Sequence, residues 1–221
     1  MKKQSIHLEP FAPLSPETSI IEAIDKMDEM KVSDFPVVNA EGVYMGLVSE
    51  DVLLEFGDDS APVSKVLNPA NAHFVSPDAH YFDILAVVVN YRLTSLPIVD
   101  TDGQYKSAYL LSDVFEFFRE TPTLMQVGAI LTLSVDQPQY SMITISNVVE
   151  QNDAKILGLW MLTPDVSNEV KLVIKLNVEN STSIVQSLER YGYRLDGIFG
   201  DATFELDYQE RYNHLMNYLK Y

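Results

Sequence analysis

Four histidines, His7, His73, His80 and His214, are the side chains best suited to metal or acid–base chemistry, and their spacing suits neither. His73 and His80 flank Pro77, with no third ligand close in sequence. The chain has no cysteine, which excludes disulfides, thiolate metal sites and cysteine nucleophiles. No glycine-rich phosphate loop, Gly-x-Ser-x-Gly elbow or His-Glu-x-x-His zinc motif occurs. No nucleophile is paired with a base, so the residues suit a regulatory module better than an enzyme. Oxygen-bearing residues remain at two expected helix starts, Ser49 with Asp51 and Ser112 with Asp113. An aspartate there is stabilised by the helix dipole whether or not it binds anything.

The elements that hold these residues come from an internal repeat. A shift of 61 residues brings Ser15-Pro16 onto Ser76-Pro77, and Phe35-Pro36-Val37-Val38 onto Leu96-Pro97-Ile98-Val99. It also brings Gly42 onto Gly103, Tyr44 onto Tyr105, and Glu55-Phe56 onto Glu116-Phe117. Each copy reads as strand, helix, strand, strand, helix. Ser19 and Glu22 form a capping-box pattern ahead of Ile20, Ala23, Ile24, Met27 and Met30, which share one helical face. His80 stands where Ser19 would cap the second copy. Asn39–Gly42 and Asp100–Gly103 are turn chemistry. The last helix of each copy is expected near Asp51 and Ser112.

The pattern changes after Glu120-Thr121-Pro122-Thr123, where a domain boundary is expected. Residues 128–135, 156–162, 170–176 and 193–199 read as strands. Helices are expected over 141–151 and around Ile184, Val185 and Leu188, the latter stopped by Gly192. The order βαββαβ is the ferredoxin-like split unit. Trp160, on a strand, reads as core. Residues 207–221 carry Tyr208, Tyr212, Leu215, Met216 and Leu219 at helical spacing, the pattern of a helix docked on its own protein.

The pattern Ser-Pro, helix, Phe-Pro-Val-Val-(Asn/Asp)-x-x-Gly, then Gly-Leu-Val-Ser-Glu-Asp, followed by an ungapped second copy in which Leu96-Pro97-Ile98-Val99-Asp100 stands for the first run, with Ala61–Pro69 as the linker, resembles a pair of cystathionine-β-synthase (CBS) domains over residues 5–120, with repeats at about 9–58 and 70–119. The strand, the loop Asp136-Gln137-Pro138, the helix and Leu188–Tyr193 resemble an ACT domain, taken as residues 124–199, with 200–221 as a C-terminal segment. The combination resembles the acetoin-utilisation regulator B family. The resemblance implies an α+β fold of tandem CBS motifs packed about a pseudo-twofold axis, followed by the ferredoxin-like unit and a C-terminal helix.

It also implies adenosine ligands in clefts between the copies, where an aspartate accepts from both ribose hydroxyls. That position is Asp113 in the second copy, beside Ser112. In the first copy it is Val52, which cannot bind a diol. The resemblance completes the Asp113 cleft with Ala12, Ser33 and Asp34, Asp34 accepting from an adenine amino group. The weaker cleft would use Ser49, Thr94 and Ser95. The second copy departs from the family at Leu110, where a hydroxyl is usual. ACT domains bind amino acids at the first strand–helix loop, here Asp136 to Tyr140. Gln139 takes the usual glycine position and Tyr140 is bulky, which favours a pairing surface over a ligand site.

Lys+Arg number 15 against 32 Asp+Glu, a net charge of −17. That balance argues against nucleic-acid polymers and anionic lipid. Residues 1–120 carry 8 basic and 20 acidic residues. No Lys or Arg adjoins Ser112-Asp113, so AMP or another lightly charged adenosine ligand suits the cleft better than ATP. The densest apolar run, Ile84 to Val89, is far short of the roughly 20 residues of a membrane span. The expectation is a cytoplasmic, homodimeric sensor with an unidentified protein target and no catalytic or metal site. A ligand-free assembly module with decayed clefts is the alternative.

Overall fold

A computed structural model describes residues 10–119, 121–162 and 168–201. The expected helix over 207–221 lies outside them, as do His7 and His214. The chain divides into two compact units, residues 1–117 and 118–221.

In the first unit, α1 (Ile20–Met30), β1 (Asp34–Val38), β2 (Tyr44–Ser49) and α2 (Glu50–Phe56) recur as α3 (Tyr81–Tyr91), β3 (Ser95–Val99), β4 (Tyr105–Leu110) and α4 (Leu111–Arg119). The repeat extends to the backbone. Lys31 and Arg92 end their helices at φ 56° and 54°, and Gly42 and Gly103 turn at 81° and 78°. Both hairpins are antiparallel, with a register break at Val37/Val38 and at Ile98/Val99. The expected first strand of each copy shrinks to one parallel bridge, Leu14 to Val37 and Val75 to Ile98. Prolines at 13, 16 and 77 punctuate these lead-ins, which limits the ladder they can make.

Ser19 caps α1 through the Glu22 N–H. His80 caps α3 by accepting from the Phe82 N–H through Nδ1 at 3.2 Å. Histidine therefore fills the role that its unusual type had hidden in the sequence. The buried face of α1, Ile20, Ala23 and Met27, packs with Phe35, Val37 and Leu53, and Ala108 of the second copy joins the same core. One repeat thus completes the core of the other. The two are related as by a pseudo-twofold axis: the Tyr44 N–H donates to Gly103 O at 2.9 Å, and the Tyr105 N–H to Gly42 O at 3.0 Å.

The second unit contains α5 (Pro122–Met125), β5 (Ile130–Asp136), α6 (Met142–Gln151), β6 (Ile156–Leu162), β7 (Glu169–Leu176), α7 (Thr182–Arg190) and β8 (Arg194–Phe199). The sheet order is β6-β7-β5-β8, antiparallel throughout. With the order βαββαβ from β5 to β8, this is the ferredoxin-like arrangement. Alternate residues Leu131, Leu133 and Val135 of β5, and Leu172, Ile174 and Leu176 of β7, meet Ile145, Val148 and Val149 of α6 and Ile184, Val185 and Leu188 of α7. Trp160 departs from its expected core position. It is 42% exposed, because it pairs with Val173 on the face of the sheet opposite the buried Leu172 and Ile174, and its ring fills the space above Gly158, where a β-carbon would stand 2.6 Å from it. The chain leaving β8 is anchored by Asp201, whose buried carboxylate accepts from the Ser181 N–H and Oγ–H at the start of α7.

Candidate functional site

Each hairpin delivers its chain directly into a helix, so the strand end and the first helical turn form one rigid corner. In the second copy that corner is Leu110–Asp113. The Leu111 N–H donates to Thr94 O at 3.0 Å. The Asp113 carboxylate turns back to accept from the Leu110 N–H at 2.9 Å. Asp113 is therefore the third-residue half of a capping box. That bond uses Oδ2; Oδ1 accepts no hydrogen bond among the described residues. Ser112 is exposed and Asp113 half-buried. Leu110 packs against the first copy's core, and Tyr109 is buried. Burial, then the Asp113 charge, pushes the Tyr109 hydroxyl above its ordinary pKa.

The lead-in of the first copy lies against this corner's strand. The Phe11 N–H donates to Ser107 Oγ at 3.3 Å, and Tyr105 Oη–H donates to Phe11 O at 2.8 Å. This brings Ala12, which is exposed, to the second copy. The mirror arrangement exists in the first copy with different chemistry. Tyr44 Oη–H donates to His73 O at 3.0 Å, and the His73 ring stacks on Tyr91 with centroids 3.7 Å apart. His73 stands where the repeat has Ala12. At the first-copy corner the Glu50 N–H donates to Ser33 O at 2.9 Å, and Ser49 makes no side-chain cap. Val52 is 38% exposed, and Asp51 is exposed.

Ser33, Asp34, Thr94 and Ser95 meet between the two corners. Asp34 Oδ2 accepts from the Thr94 N–H at 2.9 Å and from Thr94 Oγ1 at 3.0 Å. Thr94 Oγ1 accepts from the Ser33 N–H at 2.8 Å and the Asp34 N–H at 3.2 Å. Ser95 Oγ–H donates to Asp34 O at 2.7 Å. The strand register sets Asp34 opposite Ser49, and Ser95 opposite Leu110. Ser33 and Asp34 thus border the first-copy corner, while Thr94 and Ser95 border the corner holding Asp113. The antiparallel hairpin dictates this, because a strand's start must face its partner's end.

Burial is the largest influence on Asp34 and raises its carboxyl pKa; the Thr94 hydrogen bonds oppose the rise, Asp51 adds to it, and His73 opposes it. Burial also pushes up the hydroxyls of Tyr44 and Tyr105. Neither Asp34 nor Asp113 pairs with a lysine or arginine among the described residues. No group of three or more His, Asp or Glu there could hold a metal ion, and no described helix is long and apolar enough to cross a membrane.

In the second unit the loop after β5 is a single 3-10 turn, Gln137–Gln139. Asp136 and Gln139 are exposed, and Tyr140 packs against the core. The Gln139 side chain covers Gly192, where a β-carbon would stand 2.5 Å from its Oε1. Tyr193 Oη accepts from the Ser141 N–H at 2.9 Å and donates to Ser141 O at 3.2 Å, pinning the entry to α6. Sequence reasoning missed this clamp, and missed that Tyr44 and Tyr105 bridge the repeats through their hydroxyls. The 61-residue register of the two tyrosines was the available signal.

Residues 4–59 match the family model described as CBS domain. An inosine-5'-monophosphate dehydrogenase of Aquifex aeolicus is 30% identical over 104 residues. That match takes in 46% of this chain but only 21% of the enzyme, so the chain spans about a fifth of the relative's length. A crystal structure of a CBS domain pair/ACT domain protein from Thermotoga maritima is similar over 51% of this chain and 92% of that one, at 23% identity and a TM-score of 0.46. The structure of CBSX2 in complex with AMP is similar over 50% of this chain and 88% of that one, at 21% identity and a TM-score of 0.44. The first repeat carries the family match, and the second repeats its helices, hairpin and register. Together the two repeats form a mixed α+β unit, the first repeat of which matches the CBS domain model.

Proposed function

We propose that this CBS pair is the sensing element of a cytoplasmic regulatory protein, not an enzyme, and that it binds AMP or another small adenosine-containing ligand at the start of α4. The observation that carries this reading is the second-copy corner. Ser112 is exposed there, Asp113 keeps one carboxylate oxygen outside its capping bond, and the other copy's lead-in lies against the adjoining strand. A carboxylate in that position can accept from a ribose hydroxyl. Val52 removes the same chemistry from the first-copy corner. Asp34 and Asp113, which pair with no lysine or arginine among the described residues, favour a lightly charged ligand.

The ligand would act by preferring one arrangement of the two copies over another, shifting the balance between them. A homodimer would carry the change onward. Ile21 and Phe82 occupy equivalent sites on α1 and α3, and Leu54 and Phe115 on α2 and α4, all 46–64% exposed. Such an apolar face suits a second copy of the chain. The second unit is read as an ACT-like pairing domain, its loop closed by Gln139 and Tyr140. Thermal shift of the full chain with AMP, adenosine, ATP and a panel of amino acids tests this reading. AMP is expected to raise the melting temperature, and Asp113→Ala to abolish the rise. No rise with any adenine compound would overturn it.

A ligand-free assembly module is the second reading. One observation favours it: Asp113 and Asp34 already spend an oxygen each on internal bonds, and Leu110 serves the core. Under it, sedimentation shows a dimer and no adenine compound moves the melting temperature.

A further inference from the structure

We infer that Thr94 is a positioning residue that couples the two corners of the CBS pair through Asp34 and Ser33. The first N–H of α4, on Leu111, is held by Thr94 O, and the first N–H of α2, on Glu50, is held by Ser33 O. Between these carbonyls lies one side chain. Thr94 Oγ1 receives the Ser33 and Asp34 N–H groups and gives its own proton to Asp34 Oδ2. Asp34 in turn holds the Thr94 N–H. The start of α4 therefore reaches the start of α2 through a short unbroken run of hydrogen bonds.

The run is directional, which a symmetric repeat would not require. Ser33 stands in the first copy where Thr94 stands in the second, and Asp34 where Ser95 stands. The backbone N–H of Ser33 and of Asp34 both go to the Thr94 hydroxyl, whereas the Thr94 N–H goes to a carboxylate. One hydroxyl serving three partners cannot move without disturbing both corners. A shift of the α4 start drags Thr94 O, and with it the groups that hold Ser33. Asp51 of α2 and His73 of the second lead-in act electrostatically on Asp34, so the charge around α2 would sense the shift. Two sites biasing one shared element is what linkage requires.

Amide hydrogen exchange at Glu50 and Leu111 tests this in the full chain, in two arms. In the first, which rests on the adenosine reading, AMP is added. Wild type is expected to change exchange at both amides. Thr94→Val is expected to keep the Leu111 response and lose the Glu50 response, and Thr94→Ser to restore it. Leu111 responding alone in wild type, or Glu50 responding equally in Thr94→Val, overturns the coupling and leaves the adenosine reading standing. No response at Leu111 overturns the adenosine reading instead. The second arm needs no ligand: Asp113→Ala removes the cap at the α4 start. It is expected to speed Glu50 exchange several-fold in the wild-type background and not in Thr94→Val. An equal rise in both backgrounds, or none in either, overturns the coupling.

Discussion

Thr94 Oγ1 donates to Asp34 Oδ2 at 3.0 Å across the junction of the two repeats. The pseudo-twofold maps this pair onto Ser33 and Ser95, and since neither carries a carboxylate the bond has no second copy. Thr94→Val keeps the shape and removes the hydroxyl. It strands the Ser33 and Asp34 N–H groups and strips one donor from a half-buried carboxylate. The expected loss is about 1–3 kcal/mol in denaturant unfolding. A loss indistinguishable from zero would show that water replaces the hydroxyl at no cost.

Asp34 also sets a pH dependence. Its carboxyl pKa is raised in the folded state, chiefly by burial. The folded protein then holds the Asp34 proton to a higher pH than the unfolded chain does. The stabilising contribution is complete below the ordinary aspartate value and is lost as pH rises through the folded value. Asp34→Asn keeps an acceptor for Thr94 and removes the titration. With unfolding free energy measured from about pH 3.5 upward, the stability of Asp34→Asn relative to wild type is expected to rise with pH across the low-pH limb. Parallel curves for variant and wild type would contradict this.

Tyr44 and Tyr105 tie each copy to the other's lead-in, through His73 O and Phe11 O. Tyr44→Phe and Tyr105→Phe are each expected to cost about 0.5–1.5 kcal/mol. The two hydroxyls influence each other electrostatically, so the double variant should depart from the sum. A double effect equal to the sum would contradict this.

Much of this architecture was legible because it was written twice. The Phe35–Val38 and Leu96–Val99 runs, with their turn glycines, fixed both hairpins, and the spacing of Ile20, Ala23 and Met27 fixed the face of α1. The lead-in strands were over-read, since the prolines around Leu14 and Val75 leave one bridge each. The site was less legible. Asp113 was visible as an aspartate at a helix start, but its dual position, capping with one oxygen and open at the other, depends on a side-chain rotamer. The Asp34–Thr94 bond has serines at both equivalent positions of the other copy, so the alignment that revealed the fold concealed it.

Titration calorimetry of the full chain with AMP, for wild type and Asp113→Ala, bears most directly on the central claim. Saturable binding of one AMP per chain is expected, because Val52 disables the first-copy corner, with loss of that binding in Asp113→Ala. No binding at millimolar AMP, or equal binding by Asp113→Ala, would contradict it.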